Sequence, residues 1–164
     1  MGGERQVAVL KEIRQKLDAE IGALEFELRV TLPQEIKKAL EHGDLRENSE
    51  YKSALERQEY VKLRLGQLKK RVSEISTMDL TRLPKDRVAY GSRVAVEDPD
   101  TGKSTLFRLV LAEESDAERG WISVQSPIGR GLIGREQGDA VEVKTPSGTR
   151  RWTITDVKTV HDPE

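Results

Sequence analysis

The chain has no cysteine, only two Trp, three Tyr and two Phe among 164 residues, and no long apolar run. Without thiols there is no disulfide, no thiolate metal site and no cysteine nucleophile. So few aromatics exclude a large aromatic core and a stacking platform for single-stranded nucleic acid. No segment approaches the ~20 apolar residues that a membrane helix needs, and no signal peptide opens the chain. A cytoplasmic protein without membrane contact is expected. A surplus of one charge is missing too: 28 Lys+Arg against 29 Asp+Glu leave a formal net charge of −1. That balance argues against coating DNA or RNA by bulk electrostatics, so any nucleic-acid contact must be local.

Charge of both signs is plentiful. Charged residues make up 35% of the chain, where about a quarter is usual, and this points to long solvated helices. Residues 1–6 are polar and are expected to fray. Leu10, Ile13, Leu17, Ile21, Leu24 and Leu28 then recur in steps of three and four, tracing one helix face. Leu32, Ile36 and Leu40 continue the stripe, and Pro33 is expected to kink it because it lacks an N–H and crowds the preceding turn. A second stripe, Tyr51, Ala54, Gln58, Val61, Leu65, Leu68, Val72 and Ile75, is an unbroken heptad seam. The two should pack as an antiparallel hairpin over residues 1–77, with its tip at 43–51. A plain coiled coil used for dimerisation is the competing reading.

Residues 78–86 lose the heptad and carry Pro84, as a linker does. Over 87–164 the period switches to two and glycine becomes frequent, the mark of a β domain. Strands are expected at 93–97, 104–111, 120–124, 140–144 and 150–157, around a core that includes Phe107, Trp121, Val143, Trp152 and Ile154. Ser126 as N-cap, Pro127 at the first helical position and Gly134 past the end describe one short helix. Gly129-Arg130-Gly131-Leu132-Ile133-Gly134 also fits G-x-G-x-x-G, but no crossover helix follows, so a dinucleotide site is rejected. His42 and His161 have no serine nucleophile motif beside them, which removes a Ser-His-Asp machine.

One compact constellation remains. In His42-Gly43-Asp44-Leu45-Arg46-Glu47-Asn48-Ser49-Glu50-Tyr51, Gly43 can end the first helix in the left-handed conformation. Asp44 can cap the second, with Glu47 at capping-box spacing. The same two carboxylates could instead serve chemistry at the end of a projection. Mg²⁺ takes six oxygens and usually keeps several waters, so a pair would bind it only with ligands from a partner. Arg46, Lys52 and Arg57 could neutralise phosphates there, or lie on a solvated face paired with Glu50 and Glu56.

Residues 41–51 closely resemble the tip signature of the bacterial Gre transcript cleavage factors. Ser126-Pro127-Ile128-Gly129-Arg130 to Gly134, with Gly138-Asp139-Ala140-Val141-Glu142-Val143 and Thr145-Pro146-Ser147-Gly148, looks like that family's C-terminal signature. The resemblance covers nearly the whole chain. It implies an α+β protein: a coiled-coil hairpin followed by a small FKBP-like antiparallel β domain with one short helix. It further implies a monomer that enters the secondary channel of bacterial RNA polymerase. There Asp44 and Glu47 would help hold a catalytic Mg²⁺ shared with the polymerase, which then cuts the extruded 3′ end of backtracked RNA. On this reading the chain is not itself an enzyme. Ser126, Pro127, Ile128, Gly129 and Leu132 become candidates for polymerase docking, with exposed apolar positions expected around Ile128 and Leu132.

Three departures from the pattern stand out. The usual Thr-x-x-Gly opening is absent, so the base of the hairpin is expected to differ. Leu40 and Leu55 occupy positions where some members carry arginine, which predicts weaker RNA contact. Gly131 replaces a common alanine, expected to loosen the short helix by up to ~1 kcal/mol. Related paralogues that block the channel without cleavage typically alter the tip. The intact Asp44/Glu47 spacing favours an active factor over such a regulator. An FKBP-like fold alone carries no isomerase activity.

Overall fold

The structure is a computed structural model and describes residues 2–43 and 47–164. The chain forms two compact units: Leu10–Met78, and Asp79–Glu164 together with the residues up to Val9. Among the described residues no helix is long and apolar enough to cross a membrane.

The first unit is the hairpin. Helix α1 (Gly2–Phe26) runs into a π-helical turn (Glu27–Thr31), then α2 (Leu32–Leu40); α3 (Ser49–Ser76) returns. The heptad seam does what its spacing predicts, since Ala54, Val61, Leu65, Leu68 and Ile75 are all buried. Leu24 and Leu32 join Val61, Leu65 and Leu68 in one cluster, with Leu17, Ile21 and Leu28 packed against it. Fully burying a side chain such as Leu32 or Val61 stabilises by about 1.5–3 kcal/mol, enough to explain why the two stripes find each other.

At Pro33 the expected kink takes a specific form. The Leu32 N–H reaches back to the Glu27 carbonyl, a five-residue step. The widened turn gives the proline ring room and absorbs its missing donor. The change of phase also corrects the predicted stripe. Ala39 is buried, whereas Leu40 is 44% exposed.

The second unit holds a five-stranded sheet in the order β3-β2-β1-β5-β4, built from β1 (Arg93–Glu97), β2 (Ser104–Val110), β3 (Trp121–Ser123), β4 (Ala140–Thr145) and β5 (Gly148–Lys158). All five lie where the alternation puts them. Helix α4 (Pro127–Leu132) precedes β4, and Leu132 enters a core with Val88, Val94, Val96, Phe107, Leu109, Val141 and Ile154. Two expectations need correction. The sheet is not wholly antiparallel, because β2 and β3 pair in parallel. Two short 3₁₀ turns, Ala112–Glu114 and Ala117–Arg119, and the left-handed Gly120 carry the chain back to run alongside β2. Trp121 is not a core residue either. It is half-buried, with the Arg108 and Arg119 guanidiniums 5.5 and 5.3 Å from the centre of its ring, two cation–π contacts.

The first residues are helical rather than frayed. Gln6 is buried, and its Oε1 lies 3.4 Å from the Tyr90 hydroxyl. Tyr90 donates to Glu114 at 2.9 Å, and burial together with the Glu114 charge pushes its pKa far upward, so the hydroxyl stays protonated. Arg5 pairs with Glu164 at 2.7 Å, and Arg108 binds the other oxygen of the same carboxylate. Polar residues with partners this distant in sequence look like a loose end until the fold brings them together. His161, read as part of a polar tail, is half-buried with its Nε2 2.7 Å from the Leu83 carbonyl. Residues 80–82 form a 3₁₀ turn capped by Asp79.

Candidate functional site

Helix α2 ends at Leu40, with His42 N–H bonded to the Ala39 carbonyl at 3.2 Å. Gly43 follows with φ of 106°, the left-handed region expected of it. Asp44, Leu45 and Arg46 lie outside the described residues. The described part resumes at Glu47, and α3 starts two residues later.

Its cap is not the predicted one. The Asn48 side-chain oxygen accepts from the Tyr51 N–H at 3.0 Å, so Asn48 is the N-cap and the Asp44/Glu47 capping box does not open this helix. Both readings place an acceptor three residues before a backbone donor, which is why the sequence left them indistinguishable. Glu47 is thereby released from helix capping. Its side chain is exposed and makes no hydrogen bond or ion pair with any described residue. Among the described residues no group of three His, Cys, Asp or Glu could hold a metal. Glu47 therefore suits one oxygen donor in a shared site, not a private one.

The cations expected at the tip divide. Arg46 falls outside the described residues. Lys52 is exposed and has no acid partner among them. Arg57 is engaged: its Nε and terminal nitrogen bind both Glu27 oxygens at 2.7 and 2.8 Å, and it lies 5.0 Å from the Tyr60 ring. It pairs across the hairpin rather than with Glu50 or Glu56, and is not spare for phosphate. Sequence reasoning missed a cleft of ≈ 750 Å³ between α2 and α3, lined by Lys38, His42, Ser49 and Ser53 among others.

The Arg57 hydrogen bond holds the Glu27 carboxyl below its ordinary 4.5, with burial opposing. A lowered folded-state pKa contributes stability above the ordinary glutamate range, lost as the pH falls through the folded value. Because the pair is partly exposed, its contribution at neutral pH is small. Glu27→Gln is expected to lower the melting temperature slightly at neutral pH, with the gap from wild type closing as the pH falls through the lowered folded-state pKa of Glu27. Thermal unfolding across that range reads it directly.

In the sheet unit, Ser126 caps α4: its Oγ accepts from the Gly129 N–H at 3.0 Å and donates to the Ser123 carbonyl at 2.7 Å. Leu132 is 0% exposed and Gly129 is buried, so neither offers a docking surface, contrary to expectation. Pro127 is exposed, and Ile128 is half-buried at a cleft of ≈ 300 Å³ that includes Phe107, Trp152, Lys103 and Arg150. The exposed apolar residue nearby is Ile133, not Leu132.

Both units match one known family. Residues 7–76 fit the description "Transcription elongation factor, N-terminal", and residues 83–159 "Transcription elongation factor, GreA/GreB, C-term". The transcription elongation factor GreA of Rhodospirillum rubrum is 39% identical over 143 residues, spanning 87% of this chain and 91% of its own. That of Sphingopyxis alaskensis is 39% identical over 158 residues, 96% and 99% of the two chains. This chain belongs to the GreA/GreB family. A solved structure, Thermus aquaticus Gfh1, is 26% identical and covers 96% of this chain and 94% of that one, with a TM-score of 0.41.

The departures from the Gre pattern now have physical settings. Leu40, where some Gre members carry arginine, points outward. Leu55 is half-buried. A Cβ on Gly131 would come 2.6 Å from the Val143 Cγ2, so the glycine lets α4 lie close on β4. The altered Gre opening corresponds to the segment that seats Arg5 and Gln6 against Glu164 and Tyr90.

Proposed function

We propose that this member of the GreA/GreB family acts on bacterial RNA polymerase as a transcription elongation factor. It enters the secondary channel and stimulates the polymerase's own cleavage of backtracked RNA. The observation that carries this reading is Glu47: an exposed carboxylate next to the turn of a long hairpin, relieved of capping duty by Asn48 and bound to nothing described. With Asp44, three positions earlier, it would supply negative oxygen donors to a Mg²⁺ shared with the polymerase, an ion that would activate water and stabilise the developing charge in phosphoryl transfer. The chain itself contributes two carboxylates and a rod to carry them, so it is a cofactor of the polymerase rather than an enzyme. It works as a monomer in the cytoplasm.

Lys52 supports contact with the extruded 3′ end of the RNA, whereas Arg57 supports the hairpin. Docking on the polymerase falls to the sheet unit, where the exposed Pro127 precedes Ile128, which lines the cleft that Phe107 and Trp152 share. A channel-binding regulator without cleavage is the rival. One gel separates the two: in halted, backtracked complexes this factor shortens the RNA from its 3′ end, whereas a plug slows nucleotide addition and leaves the length unchanged. Full-length RNA after prolonged incubation with factor and Mg²⁺ would refute the proposal.

A further inference from the structure

Asn48 does more than cap α3. While its Oδ1 accepts from Tyr51 N–H at 3.0 Å, its Nδ2 donates to the Ala39 carbonyl at 2.6 Å. Ala39 is in the last turn of α2, whose carbonyls lack helical partners, and Tyr51 is in the first turn of α3, whose N–H groups do. One planar amide therefore ties the two helix ends together: it is the acceptor for the Tyr51 N–H and a second donor to the Ala39 carbonyl, which also accepts from the His42 N–H at 3.2 Å. A carboxylate could accept from Tyr51 but could not donate to Ala39. A hydroxyl is too short to span both. Only a side chain with an acceptor and a donor fixed in one plane meets this geometry.

The position matters because Asn48 immediately follows Glu47. We propose that Asn48 is the positioning residue of the tip, a clamp that closes the hairpin between Ala39 and Tyr51 and thereby fixes the direction in which the Glu47 carboxylate is presented. The inference rests on the role assigned above to Glu47. The clamp sets the foot of that side chain; the polymerase and its ion do the rest. Small displacements of a donor are costly in such chemistry, since binding groups must be held to within about 0.5 Å of the productive geometry.

Two neutral or acidic replacements test it, because both keep the cap and remove the clamp. Asn48→Ser and Asn48→Asp retain an acceptor for Tyr51 N–H, and Asp is as good an N-cap as Asn. Neither supplies a donor aimed at the Ala39 carbonyl. In the free protein, amide hydrogen exchange is expected to leave Tyr51 protected while His42, bonded to the same Ala39 carbonyl, exchanges about fivefold faster, the loss of one net hydrogen bond. With polymerase, both variants are expected to bind as wild type does but to cleave about tenfold more slowly at limiting Mg²⁺, recovering partly as Mg²⁺ is raised.

If Ser or Asp restores wild-type exchange at His42 and wild-type cleavage, Asn48 is only a cap and the proposal fails. If exchange quickens but cleavage keeps its rate and its Mg²⁺ dependence, the clamp closes the hairpin without positioning Glu47, and the proposal fails there. Glu47→Gln, with Asn48 intact, tests the underlying reading separately. Undiminished cleavage by that variant would overturn the role of Glu47, while the exchange data would still judge the clamp.

Discussion

Replacing Asp44 and Glu47 together with alanine is expected to leave polymerase binding intact and to cut stimulated RNA cleavage by about 100-fold or more. The magnitude follows from what a metal-held water contributes: several kcal/mol of barrier, at about 1.4 kcal/mol per factor of ten. Binding is expected to survive because the Glu47 carboxylate takes no part in packing. Glu47 is exposed, and α3 is capped by Asn48 instead. The variant should therefore compete with wild-type factor for polymerase while failing to shorten RNA. Loss of competition would point to a folding defect, which circular dichroism of the free variant would reveal. Cleavage at the wild-type rate would remove the shared-ion mechanism altogether.

The largest stability effect is expected at a residue first offered as a docking contact. Gly129 lies in α4 where an added Cβ would stand 2.1 Å from the Ser123 carbonyl oxygen and 3.0 Å from two backbone carbons. Backbone cannot rotate out of the way as a side-chain end can. Gly129→Ala must push α4 off the strand before it, disturbing Leu132 in the core and the Ser126 cap. Overpacking of this kind costs about 3 kcal/mol, or roughly 10 °C in melting temperature. Gly131→Ala makes the contrast. Its Cβ would meet a valine side chain, Val143, at 2.6 Å. Turning that side chain costs about 1 kcal/mol, offset by a similar gain in helix propensity. A near-neutral Gly131→Ala beside a damaged Gly129→Ala separates backbone contact from side-chain contact. The reverse order would mean that the fit of α4 is set by β4.

How far the sequence could be read depended on whether a residue's partner was near it in the pattern. The α3 seam and the five strands are repeating signals, each position supported by neighbours two, three or four residues away, and they were legible. Arg57 was not, because its partner Glu27 lies 30 residues earlier on another helix and nothing local distinguishes it from Glu56. The phase change at Leu32–Leu40 hid for a related reason: Pro33 announces a disturbance, but kink and widened turn are alternative answers to one missing donor. Parallel pairing of β2 and β3 depends on how two 3₁₀ turns and Gly120 steer the chain, which alternation does not encode. At the tip, the acidic pair was plain and its surroundings were not. Asn48 was masked by a competing cap of equal spacing, and its second partner is a main-chain carbonyl, which leaves no mark in any sequence.

The short run from Gly3 to Val9 belongs with the sheet although the whole hairpin separates the two along the chain. That unit is thus completed by a piece synthesised long before it. A protease cut between Met78 and Asp79 would not yield two tidy domains: the later fragment would be left with an open seat at Tyr90 and Val160, the earlier one with a helix end stripped of its contacts. Nicked protein should stay associated through that seat, and separately produced halves should find each other in solution.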